Sequence, residues 1–181
     1  LGLQKEVDRN RIGILGICGW GGMALNAASM DTRVKAVATS VMYDMSRAMG
    51  HGVGDGKDRY STSDRRAVLQ YLNAQRWKDA ENGTFAHSGH DIYVDENGKV
   101  TAAERILPET LPDNPNPVLK EFFDYYRMPR GFHARSVNST GAWTATTPLS
   151  FMNMPLLSYA GEITIPTLIV TGEKAHSRYF A

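Results

Sequence analysis

Cys18 is the only cysteine in the chain, so no internal disulfide can form; a reducing compartment suits such a chain, and we expect a cytoplasmic one. Charge of one sign is just as scarce. The 20 Lys and Arg stand against 19 Asp and Glu, interspersed along the sequence. That balance leaves no electrostatic footprint for nucleic acid or an anionic membrane surface, so neither is expected as a partner. No apolar run reaches the ~18 residues a transmembrane helix needs, and the first residues are too polar for a signal peptide. An initiator methionine is missing too: Leu1-Gly2-Leu3-Gln4-Lys5-Glu6-Val7 reads like the end of a helix, which predicts an interior piece of a longer protein. Internal repeats and low-complexity tracts are absent. What remains is ordinary: 181 residues with 42% apolar letters suit one globular domain with a sizeable core.

The informative stretch runs from Arg11 to Met23. Ile12, Ile14, Leu15 and Ile17 form a near-continuous apolar run of strand length, which predicts a parallel strand covered on both faces. Gly16, Gly19, Gly21 and Gly22 surround a sharp turn, and Ala24, Leu25, Ala27, Ala28 and Met30 suit the helix that follows. Strand, tight turn and helix together lift one side chain above a sheet at a helix N-terminus, and Cys18 is that side chain. The unpaired amides and the positive helix end favour a thiolate over a thiol of ordinary pKa ~8.5. The same amides, with that of Gly19 first, face a developing oxyanion. Two other readings stay open. One takes Cys18 as an inert small hydrophobe, with the glycines serving helix packing, and the other takes the turn as a phosphate cradle. The cradle fits poorly, because Gly16-Ile17-Cys18-Gly19 spaces its glycines wrongly and no Gly-Lys-Ser/Thr follows.

Downstream, Asp31-Thr32-Arg33 is a polar break, and Val34 to Tyr43 reads as a second buried strand. Strand, helix and strand at this spacing make a right-handed crossover in a parallel sheet, with ligands expected beyond the strands' carboxyl ends. Tyr43, Asp44 and Ser46 leave the second strand at that edge, Asp44 either orienting a partner or capping the next segment. Gly50 to Gly56 is a glycine-rich loop. A helix is predicted from Ser63 as N-cap to Ala80, with Val68, Tyr71, Leu72 and Gln75 on one face, Trp77 extending it and Asn82-Gly83 stopping it. Asn116-Pro117 opens another, whose stripe of Val118, Phe122, Tyr125 and Tyr126 is expected to be core.

Between those helices, Asp95, Asn97, Gly98 and Glu104 fall on places of a calcium loop, but Tyr93 holds the first place, where Asp is required. A hairpin turn at Asn97-Gly98 is the expectation. His87 and His90 beside Asp91 lack a third ligand, so no metal site is expected. His133, in a basic turn with Arg130 and Arg135, reads as a solvated loop or as a contact for an anionic substrate group. Thr147-Pro148 restarts helix, and Phe151, Met152, Met154, Leu156 and Leu157 form a soft apolar surface, either packing or pocket. Pro166 introduces Thr167-Leu168-Ile169-Val170, a third buried strand.

Gly16-Ile17-Cys18-Gly19-Trp20-Gly21-Gly22 resembles the cysteine version of the elbow in the alpha/beta-hydrolase superfamily, and in particular bacterial hydrolases related to dienelactone hydrolase. Asp31 to Ala36, Met42 to Arg47 and Gly172 to Arg178 are similar to segments of the same group, so the resemblance spans nearly the whole chain. Trp20 departs from it, standing where the pattern has its second small residue, with Gly21 positioned to take over. The resemblance implies an α/β fold: a partial alpha/beta-hydrolase parallel sheet with a mainly helical cap insertion. Residues 1–43 would be core, 44–160 the cap and 161–181 the return to core. It places the triad acid in a Gly-x-x-Asp pattern, where Gly172-Glu173-Lys174-Ala175 offers alanine; Glu173 is the substitute. The family's histidine follows one further strand, and His176 is the candidate within this chain.

The function expected is hydrolysis of an ester or lactone through an acyl-Cys18 intermediate. Cys18, Gly19, Glu173 and His176 would do the chemistry, and Trp20, Tyr43 and Asp44 would meet a small-molecule substrate, without cofactor or metal. Lacking the earlier strand that gives a second oxyanion donor, the piece is expected to have little activity alone. The competing expectation is a catalytically inert, hydrolase-like protein that binds a small ligand. Oligomeric state is not legible.

Overall fold

The computed structural model describes residues 1–53 and 60–181. In chain order its elements are a 3-10 turn at Arg9–Arg11, β1 (Gly13–Ile17), α1 (Gly19–Met30), β2 (Ala36–Ser40), α2 (Met45–Gly50), α3 (Thr62–Asn82), β3 (His87–Ser88), β4 (Ile92–Val94), β5 (Val100–Ala102), α4 (Pro117–Tyr126), α5 (Val137–Thr140), β6 (Trp143–Thr144), α6 (Thr147–Met152), a 3-10 turn at Ala160–Glu162, β7 (Thr167–Val170) and a 3-10 turn at His176–Phe180. Two compact units result: Leu1–Arg59 with Phe151–Ala181, and Tyr60–Ser150. Of the glycine-rich loop, Gly54, Asp55 and Gly56 lie outside the described residues.

The first unit is a parallel three-stranded sheet in the order β1-β2-β7. Gly13 stands opposite Ala36 through to Ile17 opposite Ser40, and Val37 opposite Thr167 through to Ser40 opposite Val170. Helix α1 lies against one face, and glycine sets how closely. A Cβ on Gly16 would come within 2.5 Å of the Trp20 carbonyl oxygen and 2.6 Å of the Ala24 Cβ. Side chains larger than hydrogen would push helix and strand apart. Ala24, Leu25, Val37, Met42 and Phe180 form the core of this unit.

The opposite sheet face differs from the expectation of burial on both sides. Leu15 is 64% exposed and Leu168 59%, with Ile17 and Val170 exposed beside them in register. An apolar run marks a strand built for two coverings, and among the described residues only one covering, α1, lies on this sheet. Every residue of β7 is exposed, because it is the edge strand and α1 packs on β1 and β2.

In the second unit, α3 begins two residues before the predicted start. Ser61 is its N-cap in a capping box with Asp64, and Gly83, at φ +66°, ends it. Val68 and Leu72 of α3 are buried, with Ile92, Leu107 and Ala145, while Trp77 points to solvent at 73% exposure. The hairpin β4-β5 forms at the predicted turn: Asp95 accepts from the amides of Asn97 and Lys99, and Gly98 has φ +77°. β3 pairs antiparallel with β6. Helix α4 starts at the expected Asn116 cap, whose side chain accepts from the Leu119 amide. Its stripe is not core, however. No α4 residue is buried, and its rings meet one another, Tyr125 and Tyr126 at 4.9 Å and Phe122 and Tyr126 at 6.2 Å.

Candidate functional site

The corner after β1 is built around a residue in an unusual backbone state. Cys18 has φ 58° and ψ −129°, a region that side chains other than hydrogen enter at a cost of about 1–3 kcal/mol. Its backbone is held on both sides. The Cys18 amide donates to the Ser40 carbonyl at 3.0 Å, and its carbonyl accepts from the amides of Gly21 and Tyr43, each at 2.9 Å. Cys18 is the N-cap of α1 but makes no side-chain capping bond, and the residue is exposed. The sulfur is therefore held at a helix start without serving the helix.

Three glycines shape this corner. A Cβ on Gly19 would stand 3.1 Å from the Met45 sulfur, one on Gly21 2.3 Å from the Met42 Cβ, and one on Gly22 2.7 Å from the Tyr43 carbonyl oxygen. Gly21 thus makes the close approach, which leaves Trp20 free to project outward at 71% exposure. The amides of Gly19 and Trp20 belong to a helix's first turn, where no carbonyl of the helix itself accepts from them.

A second strained residue follows β2. Val41 has φ 44°, an outlier for a β-branched side chain, and its amide donates to the Val170 carbonyl at 2.9 Å. The reversal there sends Met42 into the core and brings the Tyr43 amide onto Cys18. The Tyr43 hydroxyl lies 2.9 Å from Nδ1 of His176, and its ring packs 5.3 Å from that of Phe180. Arg47 donates through Nη1 to the Tyr179 carbonyl at 2.7 Å, its guanidinium 5.1 Å above the Phe180 ring. Cys18, Tyr43 and His176 are thereby linked in a chain of contacts at the carboxyl edge of the sheet.

Asp44 caps α2, accepting from the Ser46 and Arg47 amides and the Ser46 hydroxyl, which is the capping alternative of its two readings. Glu173 is exposed in the turn after β7, where the Ala175 amide donates to the Gly172 carbonyl. A groove of about 450 Å³ runs beside β1 and α1, lined by Ile14, Trp20, Met23 and Ala27 among others. It is apolar and does not include Cys18.

The other candidates take structural places. His87 pairs with Thr144 in the sheet, and His90 bonds Asp91 at 3.0 Å and meets Trp143 edge-on. Nδ1 of His133 accepts from the Arg135 amide at 3.2 Å. Among the described residues, no group of three His, Cys, Asp or Glu could hold a metal ion. No helix of the described residues is long and apolar enough to cross a membrane. At the end of α1, Arg33 binds Asp31 through two nitrogens, at 2.8 and 2.6 Å, and holds its carboxyl down at about 2.

Two features passed unseen in the sequence. A valine in Val37 to Val41 signals strand, not a left-handed reversal, so Val41 gave no sign of its role. The pairing of Tyr43 with His176 had a weak signal: each stands a few residues past the end of a parallel strand, where side chains converge.

The first unit is a parallel α/β sheet with a covering helix, and its fold is similar to that of alpha/beta hydrolases. Solved structures agree. Alpha/beta hydrolase GrgF from Penicillium sp. sh18 superposes with a TM-score of 0.59 at 15% identity, over 96% of this chain and 50% of that one. DcsB, solved in complex with its substrate analogue, gives 0.57 at 12% identity, over 99% and 62%. The crystal structure of hypothetical protein PA2218 from Pseudomonas aeruginosa is far nearer, with a TM-score of 0.82 at 49% identity over 99% of this chain and 50% of that one. In sequence, PA2218 is 49% identical across the whole chain and 44% of its own length, and uncharacterized protein YcjY of Escherichia coli strain K12 is 25% identical over 97% and 50%. The chain spans about half the length of these curated relatives. No protein-family model matches it.

Proposed function

We propose that this chain carries the nucleophile of a hydrolase that cleaves a small ester or lactone through an acyl-cysteine intermediate, as the dienelactone-hydrolase-related group does. The observation that carries the reading is the exposed Cys18, held at φ 58° at the start of α1 and capping nothing. The likeness to alpha/beta hydrolases supports it.

In the first step the Cys18 sulfur gives up its proton to a base and bonds to the acyl carbon. The carbonyl oxygen takes the negative charge, which the first-turn amides, that of Gly19 first, stabilise. Collapse of this intermediate breaks the bond to the alkoxide, which leaves with the proton held by the base. Water then attacks the thioester and releases the carboxylic acid and the free thiol. His176 is the base on this reading; Glu173, the candidate acid from the family pattern, stands exposed in the turn before it. Trp20, Tyr43 and Asp44 would border the acyl group. None of these steps needs a cofactor.

The test is incubation of the protein with activated short-chain esters, followed by mass spectrometry of the intact chain. One acyl group on Cys18, absent in Cys18→Ala, is the expected result. A folded protein that gains no acyl group and turns nothing over would leave the inert ligand-binding reading. Turnover by the 181-residue chain is expected to fall far below that of a polypeptide of its relatives' full length.

A further inference from the structure

We infer that Tyr43 is the positioning residue for His176, its phenol oxygen taking the hydrogen-bond place that a carboxylate fills in a nucleophile-histidine-acid triad; this rests on the reading of Cys18 as nucleophile and His176 as base. Three observations carry it. The Tyr43 hydroxyl lies 2.9 Å from Nδ1 of His176. The Tyr43 amide donates to the Cys18 carbonyl at 2.9 Å, so one residue holds the elbow with its backbone and the imidazole with its side chain. The third is the strained Val41, whose reversal delivers Tyr43 to that place. Backbone strain that persists is a mark of positions the fold over-determines.

The tautomer decides whether the bond serves the chemistry. A phenol both donates and accepts, and a neutral imidazole has one N–H. If Nδ1 carries the proton, it donates to the Tyr43 oxygen and leaves Nε2 as the acceptor a base needs. If Tyr43 donates instead, Nε2 carries the proton and cannot take one from the thiol. The inference requires the first arrangement. The Phe180 ring packs against that of Tyr43, and the Arg47 guanidinium lies over Phe180 in turn. The charged residues in the segments that carry the pair are Asp44 and Arg47 near Tyr43, and Glu173, Lys174 and Arg178 around His176. Of these, Glu173 is the rival for the positioning role.

Two measurements on the intact protein test this. Long-range nitrogen-proton NMR, with His176 assigned by its loss in His176→Asn, reads the tautomer directly: Nδ1–H is expected, and Nε2–H would overturn the inference without any Tyr43 variant. The second is the pH profile of Cys18 alkylation by iodoacetamide. Tyr43→Phe keeps the ring packing, and should slow alkylation at neutral pH by about tenfold, the worth of one such hydrogen bond, and move the midpoint upward. Glu173→Gln should move it by clearly less than Tyr43→Phe does. A Tyr43→Phe profile that superimposes on the parent, or a shift of equal size in Glu173→Gln, sinks the proposal. A merely structural role for Tyr43 would lower the melting temperature and leave the midpoint where it was. The hydrolase reading fails separately: its mark is a missing acyl group on Cys18, whatever the alkylation profile does.

Discussion

A Cβ on Gly21 would stand 2.3 Å from the Met42 Cβ and 2.9 Å from the Met42 Cα, so Gly21→Ala must move backbone. We expect a loss of about 1–3 kcal/mol, read as a lower urea midpoint at unchanged slope. Gly161 is the control, because a Cβ there meets nothing within 4 Å and its backbone is not left-handed. Gly161→Ala should be neutral or gain up to about 1 kcal/mol through the unfolded state. Strain at Cys18 can be read in the same way, by comparing two variants that both delete the sulfur. Cys18→Gly should be more stable than Cys18→Ala by about 1 kcal/mol, since only glycine adopts φ 58° with ψ −129° freely. The glycines and the cysteine of this corner were legible in the sequence because a tight strand-to-helix turn has few chemical solutions. Val41 was not, because its conformation comes from where β2 and β7 bring the chain rather than from its own side chain.

Element ends were the most readable features of the second unit. Asn116-Pro117 and Gly83 punctuate helices by local chemistry alone, and the structure places caps at both. The start of α3 moves from Ser63 to Ser61 because the side chain of Asp64 reaches back to the Ser61 amide at 3.0 Å, closing a capping box. Ser61→Ala should cost about 1 kcal/mol, seen as a lower melting temperature, while Ser63→Ala should change little. The amphipathic stripe of α4 misled because periodicity reports which face is apolar and not what covers it. Near the end of α3, the buried Asp79 accepts from the Gln75 side chain at 2.8 Å and the Ala86 amide at 3.0 Å, which hold its carboxyl below the usual range. A depressed carboxyl stabilises fully above its unfolded pKa of ~3.9, and that contribution disappears as pH falls through the depressed value. Melting followed by circular dichroism should therefore weaken on acidification below about pH 4, and less so in Asp79→Asn.

Across the whole molecule, the apolar letters of β1 and β7 identified strands correctly but not their surroundings. Leu15 and Leu168 lie on an open sheet face, whereas Leu25 is 5% exposed in the core. Leu15→Lys and Leu168→Lys should each stay within about 0.5 kcal/mol of the parent in urea unfolding, against about 2–5 kcal/mol lost in Leu25→Ala. The fold class was legible because one strand-helix-strand unit fixes a parallel sheet; the link from Tyr43 to His176 was not, since residues 133 apart meet only once β2 and β7 are paired. The solitary outward sulfur also governs how the molecule ages. Peroxide would take Cys18 to a sulfenic acid, and with no second cysteine among these 181 residues no thiol of the chain can resolve it as a disulfide. Glutathione or another small thiol then becomes its protection, and without one the oxidation runs on to the irreversible sulfinic form.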